Sequence, residues 1–336
     1  MNLRSRAMIG FGWLAGANFI GQILTWIMTI VIMRLLSPAD YGLLAMASIF
    51  VAFLSMLAAA GLGPAIVQSQ SIDDHQLRQL FGLVMLINGL LCLSLMGLAP
   101  TIAIFFDEPR LTNIVRVLSL QFILAGFSVI PEAALARSLK FKARGLVDLV
   151  ANVAGGVTTL LFAYAGYGVW SLVAGSTLTV LIKSIGLNLV SPYLRVPVFS
   201  WARLSPLLAY GGNVTASRVL WFFYSQADIF VAGKTLGKDA LGYYSVAMHL
   251  ASLPVQKLSG LLNQVAFPAF AQIQKNPELV ASHVLKSIRI LAFFAFPVLW
   301  GISSVAPELV RLALGSKWEL AIFPLQILPI IMPLRM

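Results

Sequence analysis

The chain has 336 residues, 59% hydrophobic and only 10% charged, with a mean hydropathy of +0.90. Its net charge of +11 would suggest nucleic acid in a soluble protein. In a chain this apolar, the charge instead marks loops that hold helices at one membrane face.

A bilayer core about 30 Å thick takes roughly 20 apolar residues as helix. Arg4 and Arg6 precede an apolar run from Met8 to Leu36, which is too long for a signal peptide and reads as an uncleaved first helix. The predicted spans are 9–35, 41–66, 80–105, 112–135, 146–166, 168–190, 206–232, 241–266, 285–306 and 320–335. The runs are continuous, not alternating, so helices are expected and a barrel is not. Ser37-Pro38-Ala39-Asp40 and Gly166-Tyr167-Gly168 are tight turns, and no loop is long enough for a soluble catalytic domain. With the N-terminus inside, thirteen Lys and Arg fall on the cytoplasmic side and six on the other. That excess predicts a cytoplasmic N-terminus, anchored most strongly by 137–144.

One segment recurs at an offset of 200 residues. Arg34–Ala47 aligns with Lys234–Ala247, with Leu36/Leu236, Gly42/Gly242 and Ala47/Ala247 identical. Both copies sit between the first and second helices of a six-helix block, and an even number of helices gives both the same orientation. Two lobes related by an axis along the membrane normal are therefore expected. These are 1–200, with six helices, and 201–336, with about four. The second lobe is expected to be incomplete, because its last helix is short and carries Pro324, Pro329 and Pro333. The expected fold is an all-α polytopic membrane protein, two pseudo-repeat lobes around a central cavity.

Polar residues recur at helical spacing in four spans. They are Asn18, Gln22, Thr25 and Thr29; Asp148, Asn152, Gly155 and Thr159; Arg218, Trp221, Ser225 and Asp228; and His249, Ser252, Gln256 and Asn263, with Lys257 beside them. Such residues also glue helices together, so each stripe has two readings, cavity lining or helix packing. Seven charges fall within or at the margins of spans: Arg116, Glu132, Asp148, Lys183, Arg218, Asp228 and Lys257. A charge at mid-membrane costs about 2.5–3.5 kcal/mol on insertion scales. Seven would cost roughly 20 kcal/mol if all faced lipid, so they face protein or water, or snorkel. Asp148 and Lys183 are placed where they can also reach the interface. Four of the seven are cations, and Arg and Lys suit a phosphate-bearing substrate.

Several motifs do not carry chemistry. Gly233-Lys234-Thr235 resembles the end of a P-loop but lacks the earlier glycine, since position 228 is Asp. The single cysteine, Cys92, allows no intrachain disulfide, and with only His75, His249 and His283 far apart, neither metal nor cofactor is expected. Nor is there a constellation for a membrane-embedded glycan ligase or acyltransferase, and an enzyme is not expected.

Three stretches carry a family resemblance: Arg34-Leu-Leu-Ser-Pro-Ala-Asp-Tyr-Gly42, Gln226–Gly237 and Leu241-Gly-Tyr-Tyr-Ser-Val-Ala247. They resemble Wzx-type polysaccharide flippases of the multidrug/oligosaccharidyl-lipid/polysaccharide exporter superfamily, in the lipopolysaccharide and colanic-acid branch. The resemblance implies a bacterial inner-membrane transporter that flips an undecaprenyl-diphosphate-linked oligosaccharide. Its partners would be that lipid, the surrounding membrane lipids and the polysaccharide polymerase machinery, with no nucleic acid. On this reading Arg116, Lys183, Arg218 and Lys257 hold the diphosphate and acidic sugars. Asn18, Gln22, Asn152 and Gln256 bond sugar hydroxyls. Asp148 and Asp228 couple a cation or proton, or serve as counter-charges. Three alternatives stay open: a multidrug-type cation-coupled antiporter, whose cavity would carry net acid; a membrane-embedded glycan ligase or acyltransferase, which would need a catalytic constellation; and an inert scaffold within a polysaccharide assembly complex.

Overall fold

The computed structural model describes residues 25–58, 74–138, 140–193, 195, 197–198, 205–273 and 277–335, with backbone only at 74, 141, 205–218, 256–273, 277 and 335. Asn18 and Gln22 lie outside these residues. Among the described residues every regular element is helical. In chain order they are α1 (Thr25–Leu35), α2 (Pro38–Ala58), α3 (Asp74–Phe106), α4 (Leu111–Arg137), α5 (Phe141–Tyr164), α6 (Val169–Val190), α7 (Ser205–Ile273), α8 (Pro277–Ser304), α9 (Ala306–Leu309) and α10 (Ile322–Ile331). A π-helical stretch, Val310–Leu314, and a 3₁₀ turn, Ser316–Ala321, join α9 to α10.

Among the described residues, seven helical segments are long and apolar enough to cross a bilayer. The other three expected spans are α1, described only over Thr25–Leu35, and the two arms of α7. Those arms meet at a break, because at Gly237 the backbone leaves helical geometry (φ 78°, ψ −178°). Side chains such as Ile104 and Leu161 stand 79% and 62% exposed, which in water would be a liability and in lipid is the favoured state.

Local chemistry explains where helices begin and end. At the start of α2, Ser37 N–H donates to Asp40 Oδ2 at 2.9 Å, and Asp40 N–H donates to Ser37 Oγ at 3.3 Å. This is a capping box with Pro38 at the first helical position. The α5–α6 turn is a Schellman motif: Tyr167 N–H bonds Phe162 O and Gly166 N–H bonds Ala163 O, both at 3.1 Å. Gly166 supplies the left-handed residue that motif requires (φ 82°).

The chain divides into two compact units. The first contains α1, Leu43–Gly237 and hence α3 to α6; the second contains Ser37–Gly42 and Lys238–Met336. The division falls at Gly237, inside the second repeat copy, whereas the repeat pattern counts its lobes from about 200. In the first unit α5 packs along α6, α3 along α4, and α4 against α6. The α5–α6 crossing is nearly backbone to backbone. A Cβ on Gly155 would stand 1.8 Å from Thr179 Oγ1, and one on Gly175 would stand 1.8 Å from Thr159 Oγ1. Each threonine hydroxyl is turned back onto its own helix, bonding the carbonyls of Gly155 and Gly175 at 2.9 Å. Small residues admit this approach, as in membrane helix pairs generally. In the second unit α10 packs on α8, and Trp318 is wholly buried.

Candidate functional site

The first unit holds a cavity of about 350 Å³ between α2, α3, α4 and α6. Ser55, Asn88, Gln121 and Ser128 give it polar walls, and Glu132 and Lys183 stand at one end. Its size lies at the low end of small-molecule sites.

Those two charges belong to a closed ring of four. Glu132 comes from α4, Arg144 and Asp148 from α5, and Lys183 from α6. Arg144 Nη2 is paired with Glu132 Oε1, and Arg144 Nε lies 3.8 Å from Asp148 Oδ2. Lys183 Nζ lies 3.4 Å from Glu132 Oε2 and 3.2 Å from Asp148 Oδ1. Each carboxylate thus spends one oxygen on each cation. The ring is neutral, which explains how apolar helices tolerate four charges in one place. It is also only partly shielded, each side chain being 28–36% exposed. Removing any one member leaves a net charge beside the cavity.

Two amides fix the helices that carry the ring. Pro131, next to Glu132, has no N–H, so the Phe127 carbonyl loses its usual helical donor. Asn188 Nδ2 supplies the missing bond from α6 at 2.9 Å. One turn and more away, Gln121 Nε2 reaches Ser176 Oγ at 3.2 Å and Thr177 Oγ1 at 3.1 Å. Both bonds tie α4 to α6 and set the spacing between Glu132 and Lys183.

The residues expected at a site are thus dispersed. Lys183 lines the cavity and Asp148 joins its charge ring. Arg116 and Asn152 are exposed on α4 and α5, away from the cavity lining. Asp228, half-buried on the first arm of α7, accepts from the Ile229 N–H at 2.9 Å. The side chains of Arg218, Gln256 and Lys257 lie outside the described residues. The stripe on α5 splits: Asp148 goes to the charge ring, while Gly155 and Thr159 pack against α6. Arg144, expected as a loop anchor, is in the first turn of α5. It and the cavity residues Asn88, Gln121 and Ser128 were not assigned from sequence. The usable signals were Glu132 beside Pro131 within a span, and the i, i+4 spacing of Arg144 and Asp148. Lys234, of the rejected P-loop fragment, donates to the Phe105 carbonyl at 2.5 Å, capping the end of α3.

Residues 31–322 match the family described as Polysaccharide biosynthesis protein. The chain belongs to this family. Among its relatives is the lipopolysaccharide biosynthesis protein WzxC of Escherichia coli K12, 27% identical over all of this chain and 68% of its own length. The succinoglycan biosynthesis transport protein ExoT of Rhizobium meliloti is 28% identical over 87% of this chain and 59% of its own. The teichuronic acid biosynthesis protein TuaB of Bacillus subtilis is 26% identical, over 84% and 59%. The chain therefore spans about three-fifths to two-thirds of the length of these family members. In fold it is similar to the lipid II flippase MurJ in an inward closed conformation, with a TM-score of 0.77 at 14% identity, over 95% of this chain and 72% of that one. It is also similar to an inward-facing MATE multidrug transporter, with a TM-score of 0.65 at 15% identity, over 92% and 78%. This family member is an all-α, multi-pass membrane protein.

Proposed function

We propose that the chain serves to flip an undecaprenyl-diphosphate-linked oligosaccharide across the bacterial inner membrane, for polysaccharide export, by alternating access. Two lobes, 1–200 and 201–336, would rock about a site near the bilayer midplane, with the N-terminus in the cytoplasm. The observation that carries this reading is the polar cavity inside apolar helices, with Lys183 and Glu132 at its end. Arg144 and Lys183 are held there by carboxylates that an incoming phosphate or acidic sugar can replace. The freed Glu132 and Asp148 then accept sugar hydroxyls or a coupling proton. Arg116, Arg218 and Lys257 would add cationic contacts, and Asn18, Gln22, Asn152 and Gln256 hydroxyl contacts, with Asp228 a counter-charge. The role is transport, not catalysis, and the polysaccharide polymerase machinery would take up the product.

A deletion strain that accumulates lipid-linked oligosaccharide on the inner leaflet tests this, complemented by this chain and by a C-terminally extended form. Restored flipping is expected, and Lys183→Ala, Arg218→Ala and Lys257→Ala should each abolish it at normal protein levels. Full flipping in all three variants would remove the cationic site. The neutral charge ring also favours a second reading, a cation-coupled antiporter of drugs. Drug resistance without any effect on the trapped lipid would select it.

A further inference from the structure

The polar side chains of the cavity in the first unit have already committed their hydrogens to the protein. On α4, Ser128 donates its hydroxyl hydrogen to the Ala125 carbonyl at 2.7 Å, which leaves only lone pairs on Oγ. On α3, Asn88 Nδ2 donates to the Val84 carbonyl at 2.9 Å, which puts the amide oxygen, Oδ1, on the opposite branch. Gln121 Nε2 spends its two hydrogens on Ser176 Oγ and Thr177 Oγ1. Ser176 Oγ gives its own hydrogen to the Val173 carbonyl at 3.0 Å, so toward Gln121 it can only accept. That fixes the amide with its nitrogen toward α6 and leaves Oε1 as its remaining group. Burial holds these arrangements in place. Asn88 is only 3% exposed and Ser128 only 8%. A Cβ on Gly126 would stand 3.5 Å from Asn88 Cβ and 3.6 Å from its Cγ, so α4 lies directly against that side chain.

What these three residues offer to the cavity is therefore oxygen: Asn88 Oδ1, Gln121 Oε1 and Ser128 Oγ, with the Glu132 carboxylate at one end. A lining of acceptors calls for a ligand that brings donors. Two classes compete, a bare metal cation and a hydroxylated molecule. A dehydrated cation needs several oxygens closing on one point at about 2.0–2.6 Å. A space of about 350 Å³ is instead that of a small molecule. The rest of the lining is largely apolar, with Phe122, Val129 and Val180 in it. A single sugar ring has the same two characters, hydroxyl donors around its rim and C–H groups on its faces.

We propose that Asn88, Gln121 and Ser128 are specificity-determining residues that read the free hydroxyls of one sugar ring as donors, and that a ring with capped hydroxyls is refused. The assignment rests on the transport reading, and its test separates the two. The full chain is reconstituted in nanodiscs and titrated with three probes. These are farnesyl diphosphate, farnesyl diphosphate bearing a hexose (glucose, galactose and mannose in turn), and the same conjugates with the hexose fully O-methylated. A free hexose should raise affinity above that of bare farnesyl diphosphate, and a methylated one should not. Ser128→Ala and Asn88→Leu should each lower the ratio of hexose-bearing to bare affinity about fivefold, the effect of one hydrogen bond. The ratio cancels a general loss of folded protein, and Ser128→Ala covers the case in which Asn88→Leu fails to accumulate. Ser176→Ala combined with Thr177→Val acts in the opposite sense. It releases Gln121 Nε2 to turn to the cavity as a donor, so the methylated hexose should gain affinity. A purely structural role predicts no such reversal. Equal binding of the free and methylated forms of all three hexoses would overturn the assignment, as would an unchanged ratio in both Ser128→Ala and Asn88→Leu. The expected ratios in a chain that restores no flipping would keep the acceptor wall and remove the transport reading.

Discussion

Two glycine pairs cross in this molecule, Gly155 with Gly175 and Gly42 with Gly242, and each leaves only 1.8 Å for a side chain. In the first pair the space is filled by threonine hydroxyls that are themselves hydrogen-bonded, and α5 and α6 run together along their length. In the second pair it is filled by bare carbonyls at the first turns of two helices. The same residue type thus admits a crossing backed by side-chain hydroxyls in one place and by backbone carbonyls in the other. What differs is the group that faces the glycine, a hydroxyl that can rotate in the first pair and a fixed carbonyl in the second, where Trp318 packs on Tyr41 and Tyr243.

The largest test of that contrast is Gly175→Leu. Forcing a branched side chain into the α5–α6 crossing should destabilise the first unit by about 3 kcal/mol or prevent accumulation. Gly97→Leu, with nothing within 4 Å, should be tolerated. Melting in detergent and membrane protein level measure both. Gly42→Leu should be at least as destructive as Gly175→Leu, because the atom it meets is a backbone carbonyl that cannot rotate away, and a milder effect would remove the contrast.

Asn188→Leu should come next, at about 2 kcal/mol, because it leaves the Phe127 carbonyl beside Pro131 without a donor. Restoring the backbone donor with Pro131→Ala in the same chain should recover most of the loss. Glu132→Gln should cost about 1–2 kcal/mol, less than a fully buried pair, since the ring is about one-third exposed. Adding Lys183→Gln should return part of that stability while transport stays abolished. A double-mutant cycle reads the coupling, and strict additivity would show that the ring is not a unit. The smallest effect is Ser37→Ala, about 1 kcal/mol from the lost cap on α2. Melting in detergent reads it as a small fall in the transition midpoint.

The helices were legible because bilayer thickness imposes a run length that composition alone reveals. The repeat was legible at Gly42 and Gly242, although identity at small residues said nothing of their contact. The Gly166 turn was legible because a left-handed position selects glycine. The site was read less well. Lys183 and Asp148 were named, but their ring partner Arg144 was placed in a loop, since its charge resembled an interface anchor. Asn152 stands exposed on α5, off the lining of this cavity, since helical periodicity groups residues on a face without saying what that face meets.

By itself the sequence determined an all-helical membrane chain, its approximate spans and its duplicated segment, because hydrophobic length and local backbone preference act over a few turns. Only the tertiary structure decided that Glu132, Arg144, Asp148 and Lys183 close into one neutral ring, and that two glycines 200 positions apart approach backbone carbonyls, Gly42 that of Lys238 and Gly242 that of Pro38. Those arrangements depend on which helices become neighbours and how closely they approach. Packing volume and charge balance among distant segments set that choice.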